Sequence, residues 1–193
     1  MSEGIYAWLG VSPVDVKSHR AFFDQFQDRE LKDNLAEGNL HVTTLFPSEL
    51  ARIGLADWEV PKVRIAAREI LHQVSKLDLI GTEFTIDFEK VVQGRKKWWT
   101  LGIDGANCDP FDDARQESAW VIADIFNARL AEYSTEGYHI SLTRKANAGH
   151  DKLRTKKLPP KKWVINSVGI EVRTVSPDIP HNNSYLNNPL RTR

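Results

Sequence analysis

One short motif occurs twice in this chain. Residues 39–46 read Asn39-Leu40-His41-Val42-Thr43-Thr44-Leu45-Phe46, and residues 137–144 read Gly137-Tyr138-His139-Ile140-Ser141-Leu142-Thr143-Arg144. β-Branched and aromatic residues dominate both stretches and turn-formers flank them, which predicts two strands. Along a strand, residues i and i+2 share a face. His41 and Thr43 therefore point one way, and Val42 points the other way, into packing. His139 and Ser141 repeat the arrangement, with Ile140 behind them. Each strand presents an imidazole and a hydroxyl side by side on a rigid element, the setting in which a site is held most accurately.

The surroundings of the two strands repeat as well. Ile5 to Val11 alternates, with Ile5, Ala7, Leu9 and Val11 on an apolar face and Tyr6, Trp8 and Gly10 on the other. Ser12 and Pro13 predict a helix start, as N-cap and first helical residue, with the helix over residues 14–27. Pro61 to Leu77 reads as a helix with Val63, Ile70, Leu71 and Val74 inward. Glu83 to Val92 and Trp98 to Ile103 read as strands joined by a turn at Gly94-Arg95. Asp109 is the expected N-cap of a helix running to about Tyr133. The second His strand follows, and Trp163 to Val175 is the last strand.

Laid against each other, Trp8-Leu9-Gly10 matches Thr100-Leu101-Gly102, and Ile86-Asp87-Phe88 matches Ile170-Glu171-Val172. The order β-α-β(His)…β occurs twice, with a period far longer than the roughly 20–50 residues of a solenoid unit. The expected architecture is one α+β domain over residues 1–175. It is built from two halves, about 1–92 and 95–175, whose strands can exchange, and it is followed by an irregular Asn- and Pro-rich tail at 176–193. Two lobes related by a pseudo-twofold axis, with antiparallel sheets flanked by helices, would place one His–hydroxyl unit on each side of a central cleft.

Composition narrows the function classes. Lys plus Arg and Asp plus Glu each number 26 in 193 residues, so no global charge argues for wholesale binding to nucleic acid or membrane. No apolar run approaches the roughly 20 residues of a membrane span. Met1-Ser2-Glu3-Gly4 carries no signal-peptide pattern, so the expected location is the cytoplasm. The single cysteine, Cys108, excludes an internal disulfide and a multi-cysteine zinc site, and the six histidines show no metal-ligand spacing. No metal, cofactor or obligate protein partner is expected.

Two imidazoles facing one site can divide acid–base labour. One takes a proton from a nucleophile while the other gives a proton to the leaving oxygen. An unperturbed imidazole titrates at about 6.5, so both roles are open near neutral pH. The hydroxyls of Thr43 and Ser141 can donate hydrogen bonds to a central anion, and a symmetric pair suits the non-bridging oxygens of a phosphoryl group. Phosphodiester or cyclic-phosphate cleavage uses every part.

Paired H-x-[ST] motifs in a duplicated βα chain resemble the 2H phosphoesterase superfamily. His139-Ile140-Ser141-Leu142-Thr143-Arg144 is similar to its second motif. His41-Val42-Thr43-Thr44 is similar to its first, with Thr44 where a hydrophobic residue is usual. The resemblance spans about Ile5 to Val175. It implies a bilobal α+β fold and metal-independent phosphodiester chemistry, with His41, Thr43, His139 and Ser141 catalytic. The opening Gly4-Ile5-Tyr6, the short lobes and the aromatic-rich cleft faces resemble the phage members that hydrolyse cyclic oligonucleotide immune signals (the anti-CBASS type). That likeness implies a nucleotide or cyclic oligonucleotide substrate and, for a phage gene, action in the host cytoplasm. Two alternatives stay open: RNA-end processing, by opening 2′,3′-cyclic phosphates or joining 2′,5′ linkages, and an idle nucleotide-binding module. Retention of both histidines and both hydroxyls argues against the module.

Further candidates carry open readings. Tyr6 and Trp8 point to the cleft and Trp98 matches Tyr6 in the repeat; such rings stack nucleobases or pack a lobe interface. Trp99 alternates to the core. Glu171 and Asp87 are read as matched acids, with Glu171 the stronger candidate to orient a histidine or hold a ribose hydroxyl; a solvated face is the alternative. Arg144 adjoins the second motif and opens a basic segment over 144–162, which makes it a substrate-binding candidate, whereas the lysines beyond it suit a solvated loop. His19, His72 and His150 read as surface residues.

Overall fold

A computed structural model of the chain describes residues 2–15, 17, 40–53, 60–93, 99–130, 137–143 and 161–175. Among these, the strands are β1 (Ser2–Pro13), β2 (His41–Leu45), β3 (Glu83–Gln93), β4 (Trp99–Ile103), β5 (His139–Thr143) and β6 (Lys162–Val175). They close into an antiparallel barrel in the order β1-β2-β5-β4-β3-β6. The helices are α1 (Pro47–Ala51), α2 (Val60–Lys76) and α3 (Asp109–Phe126). None of them is long and apolar enough to cross a membrane.

Alternation gives each strand an apolar face, and that face meets the helices. Ile5, Leu9, Val42, Ile86, Leu101 and Ile140 are buried in one cluster with Val63, Ala66 and Ile70 of α2 and Phe111, Ala114 and Ile122 of α3. The ring of Phe111 meets Phe84 edge-on at 5.1 Å and Tyr138 at 5.4 Å. The Tyr138 hydroxyl donates to Asp112 at 2.8 Å, so the residue just before His139 is fastened to α3. The opposite faces of the strands carry Tyr6, Trp8, His41 and Thr43, and the Pro47 backbone at the start of α1 reaches that side of β1, against Gly4.

Exchanging β1 with β4, β2 with β5 and β3 with β6 maps every strand adjacency onto another. The registers follow the same rule. Gly10 faces His41 as Gly102 faces His139, Leu9 faces Val42 as Leu101 faces Ile140, and Trp8 faces Thr43 as Thr100 faces Ser141. Both ladders then skip one residue, Thr44 in β2 and Leu142 in β5. The halves interlock, because β3 lies beside β4 while β6, late in the chain, runs beside β1 from Ser2 to Pro13.

The matching of Asp87 with Glu171 is corrected by these registers. Gly10 pairs with Ser167 and Gly102 with Asp87; Val11 pairs with Ile165 and Ile103 with Ile86. Asp87 is thus the counterpart of Ser167, and Glu171 lies further along β6, opposite Tyr6. An alternating strand matches itself at many offsets, and a bulge in β6 shifts the count by one more residue.

Other local expectations also change. Ser12 and Pro13 continue β1, paired with Val164 and Trp163, because β6 is long enough to extend the sheet that far. Pro13 is the last residue of its strand, where a missing N–H is tolerated. The helix expected over 14–27 falls almost wholly outside the described residues. The N-cap of α3 is Cys108, with Asp109 already helical, and the helix ends at Asn127 in the left-handed region (φ 49°), well before Tyr133. Asn is among the few residues that adopt this cap conformation readily. Leu71 is 41% exposed and lies off the stripe formed by Val63, Ala66, Ala67, Ile70 and Val74.

The bulge at Thr44 is held by a buried cation. A bulged residue leaves the ladder, so its carbonyl needs another donor. Arg115 of α3 supplies it, donating to the Thr44 carbonyl at 2.8 Å. The same guanidinium meets Glu49 of α1 through both terminal nitrogens, at 2.6 and 3.3 Å. Glu49 also accepts from the Phe46 N–H at 2.8 Å, at the start of α1. The side chains of Arg115 and Glu49 are 9% and 12% exposed, so removing one partner strands the other. We expect Arg115→Met to lower unfolding free energy by about 3 kcal/mol in urea titrations, and Glu49→Gln added to it to recover part of the loss. A change within about 0.5 kcal/mol, as at a surface position, would show that the bulge is held by something else.

Candidate active site

The two His strands meet at a single pairing, Val42 with Ile140. In an antiparallel pair this sets His41 beside Ser141 and Thr43 beside His139, all four on the face opposite the buried Val42 and Ile140. The result is a checkerboard of two imidazoles and two hydroxyls, each side chain partly exposed. Diagonal neighbours in such a ladder stand about 7–8 Å apart, room for one tetrahedral anion between the imidazoles. The four residues expected to act together are therefore brought together. Gly10 and Gly102, directly across from His41 and His139, carry no side chain to crowd either ring.

The first unit is braced from β1 and β6. The Tyr6 hydroxyl lies 2.5 Å from Nε2 of His41 and 3.1 Å from Oγ1 of Thr43, so one phenol joins both members of the unit. The tyrosine ring meets His41 edge-on, at 5.8 Å and 87°. Trp8 stands 5.1 Å from Tyr6 and 5.9 Å from His41. Across the ladder Trp8 faces Gly169, and its indole occupies the space a Cβ there would need. Arg173 covers the Tyr6 ring at 4.0 Å from the centroid, a cation–π contact. Glu171, opposite Tyr6, holds Arg173 through Nε and Nη2, each at 2.6 Å.

Tyr6, Trp8 and Glu171 thus lie on the same face of the sheet as His41 and Thr43, where alternation puts them. Tyr6 is already engaged through its hydroxyl and one ring face, and Glu171 meets an arginine, not a histidine. Arg173 was not among the sequence candidates. Its only signal was its place two residues after Glu171 on the same strand face. Trp98 and Arg144 lie outside the described residues, as do His19, His150 and nearly all of the basic segment, while His72 is exposed on α2. No group of three or more His, Cys, Asp or Glu placed to hold a metal ion occurs among the described residues. A separate groove of about 310 Å³ lies between the end of α2 and β6, walled by Leu71, Leu79, Ile80 and Val168 with Asp78 and Asn166. It lacks paired acid–base groups, so the chemistry points to the checkerboard.

The Trp8 platform gives a direct test. Gly169→Ala places a methyl where the indole lies, so Trp8 must move away from β6. Overpacking of this kind costs about 1–3 kcal/mol, and we expect a changed near-ultraviolet circular dichroism band with it. An unchanged band would mean that the indole does not rest on Gly169. Comparison with protein-family models, with curated proteins and with solved structures gave no match.

Proposed function

We propose that this protein is a 2H-type phosphodiesterase that cleaves nucleotide phosphodiester bonds without a metal ion, acting in the cytoplasm on cyclic oligonucleotides of the immune-signal class. The observation that carries the reading is the checkerboard of His41, Thr43, His139 and Ser141, fixed by the Val42–Ile140 pairing. One imidazole takes the proton of an attacking ribose 2′-hydroxyl. The new P–O bond forms as the bond to the leaving oxygen breaks, and the other imidazole protonates that oxygen. The ring opens to a linear product ending in a 2′,3′-cyclic phosphate, which water then hydrolyses. Thr43 and Ser141 donate to the non-bridging oxygens, where charge concentrates. The aromatic flank of Tyr6 and Trp8 on one side of the checkerboard suits a nucleobase.

The test is a cleavage panel in EDTA holding cyclic di- and trinucleotides, 2′,3′-cyclic mononucleotides and RNA with a 2′,3′-cyclic end. We expect cyclic oligonucleotides to be cut, and His41→Ala and His139→Ala each to lose about 10²–10⁴ in rate while still binding substrate. Cutting of the cyclic-ended RNA alone would move the assignment to RNA-end processing. Binding without turnover by the wild-type chain would overturn the enzymatic reading.

A further inference from the structure

The two halves differ beside their histidines. β1 carries Tyr6 two residues before Trp8, and the chain has Trp98 two residues before Thr100, the counterpart of Trp8. A phenol both donates and accepts hydrogen bonds, whereas an indole only donates. The Tyr6 hydroxyl lies 2.5 Å from Nε2 of His41 and 3.1 Å from Oγ1 of Thr43, so it reaches both groups of that unit. Trp8 packs near the Tyr6 ring, Arg173 covers it, and Glu171 holds Arg173. A hydroxyl placed this way does more than complete a stacking surface, because a proton bound for Nε2 meets it first.

We infer that Tyr6 is a catalytic residue whose hydroxyl relays the nucleophile's proton to Nε2 of His41, so that His41 is the base of the pair. The inference deepens the phosphodiesterase reading and rests on it. A hydroxyl has one proton to give and two lone pairs to accept with. Of the two neighbours of this one, a neutral imidazole nitrogen is the stronger acceptor. The phenol therefore donates to Nε2, and the Thr43 hydroxyl donates to the phenol oxygen. When a phosphoryl group enters, Thr43 turns its proton to a non-bridging oxygen. The phenol oxygen then lacks a donor, and the hydroxyl of the nucleophile supplies one. The alternative is that the phenol swings away and the nucleophile takes its place at Nε2. The bond to Thr43, and Trp8 and Arg173 beside the ring, oppose that swing.

The proton balance follows. The oxygen of the nucleophile bonds to phosphorus as its proton passes to the phenol oxygen and the phenol's own proton passes to Nε2 of His41. The bond from phosphorus to the leaving oxygen breaks, and that oxygen takes a proton from His139. Tyr6 ends as it began, His41 has gained one proton and His139 has lost one. For attack by water on the cyclic phosphate the path runs in reverse. His139 takes the water's proton, and the leaving 2′-oxygen receives the phenol's proton while His41 replaces it.

Tyr6→Phe keeps the ring and removes only the hydroxyl, so it is the test. The first reading needs no substrate. By NMR on the full chain with ¹⁵N-labelled histidine, assigned through His41→Gln, we expect Tyr6→Phe to shift the Nε2 resonance of neutral His41. The bond is also visible in the unaltered chain, as a Tyr6 hydroxyl proton protected from exchange and close to the His41 ring protons. An unmoved Nε2 resonance, or no such hydroxyl proton, overturns the inference whatever the cleavage panel shows. The second reading is single-turnover cleavage of the substrate that the panel identifies. Tyr6→Phe should slow it about 10²-fold with substrate affinity retained, and should shrink the solvent deuterium isotope effect, since one proton fewer moves. Added to His41→Ala, it should cost nothing more, because both groups act in one path. Cleavage by Tyr6→Phe as fast as by the wild-type chain, or faster, would mean that the phenol merely occupies the nucleophile's place. A slower variant with an unchanged isotope effect would mark a prop for His41. Either result overturns the relay and leaves the phosphodiesterase reading standing. A silent panel with the bond intact overturns that reading, and the relay with it.

Discussion

Val42 and Ile140 form the only pairing described between β2 and β5, and both are wholly buried. The relative position of the two imidazoles follows from this contact. A slip of one residue would turn His41 and Thr43 into the core and Val42 onto the opposite face. Burial makes that slip costly, because an imidazole and a hydroxyl would lose water without gaining assured partners. The apolar residue between each histidine and its hydroxyl is therefore as much a part of the site as the polar pair. Its burial sets the register, and the register sets the chemistry.

The bulges at Thr44 and Leu142 fall immediately beyond the pairs they serve. A bulge raises the local twist of its strand, and the described ladder between β2 and β5 is confined to one central pair. On the first side the cost of a displaced carbonyl is met by Arg115, reaching from α3 through Glu49 to α1. The placement of His41 thus depends on a helix that contributes no residue to the site.

The strands and the shared face of each histidine and its hydroxyl were legible in the sequence because they rest on alternation, whereas the β2–β5 pairing that sets the two units side by side was not. Trp8-Leu9-Gly10 and Thr100-Leu101-Gly102 align as read, down to the glycine opposite each histidine. Asp87 was set against the wrong partner because bulges change the count without changing the pattern. Pro13 was read as a helix start because its ring suits both a first turn and a strand end, and only the length of β6 decides between them. The bonds from Tyr6 to His41 and Thr43 were not legible either. Alternation gave the face of Tyr6, but how far its hydroxyl reaches depends on the twist between β1 and β2.

The long ladder between β1 and β6 bears on how such a chain is made. Its paired residues are separated by 150 to 173 positions, so it is the kind of non-local contact that slows folding. During synthesis β1 emerges before the other described strands, and β6, its longest neighbour, emerges after them. Until then Ile5, Leu9 and Val11 lack the barrel closure that buries them, and the open edge of β1 is a surface on which other strands can add. A nascent chain of this design is most exposed to aggregation, and to chaperones, at the strand that later braces its first histidine.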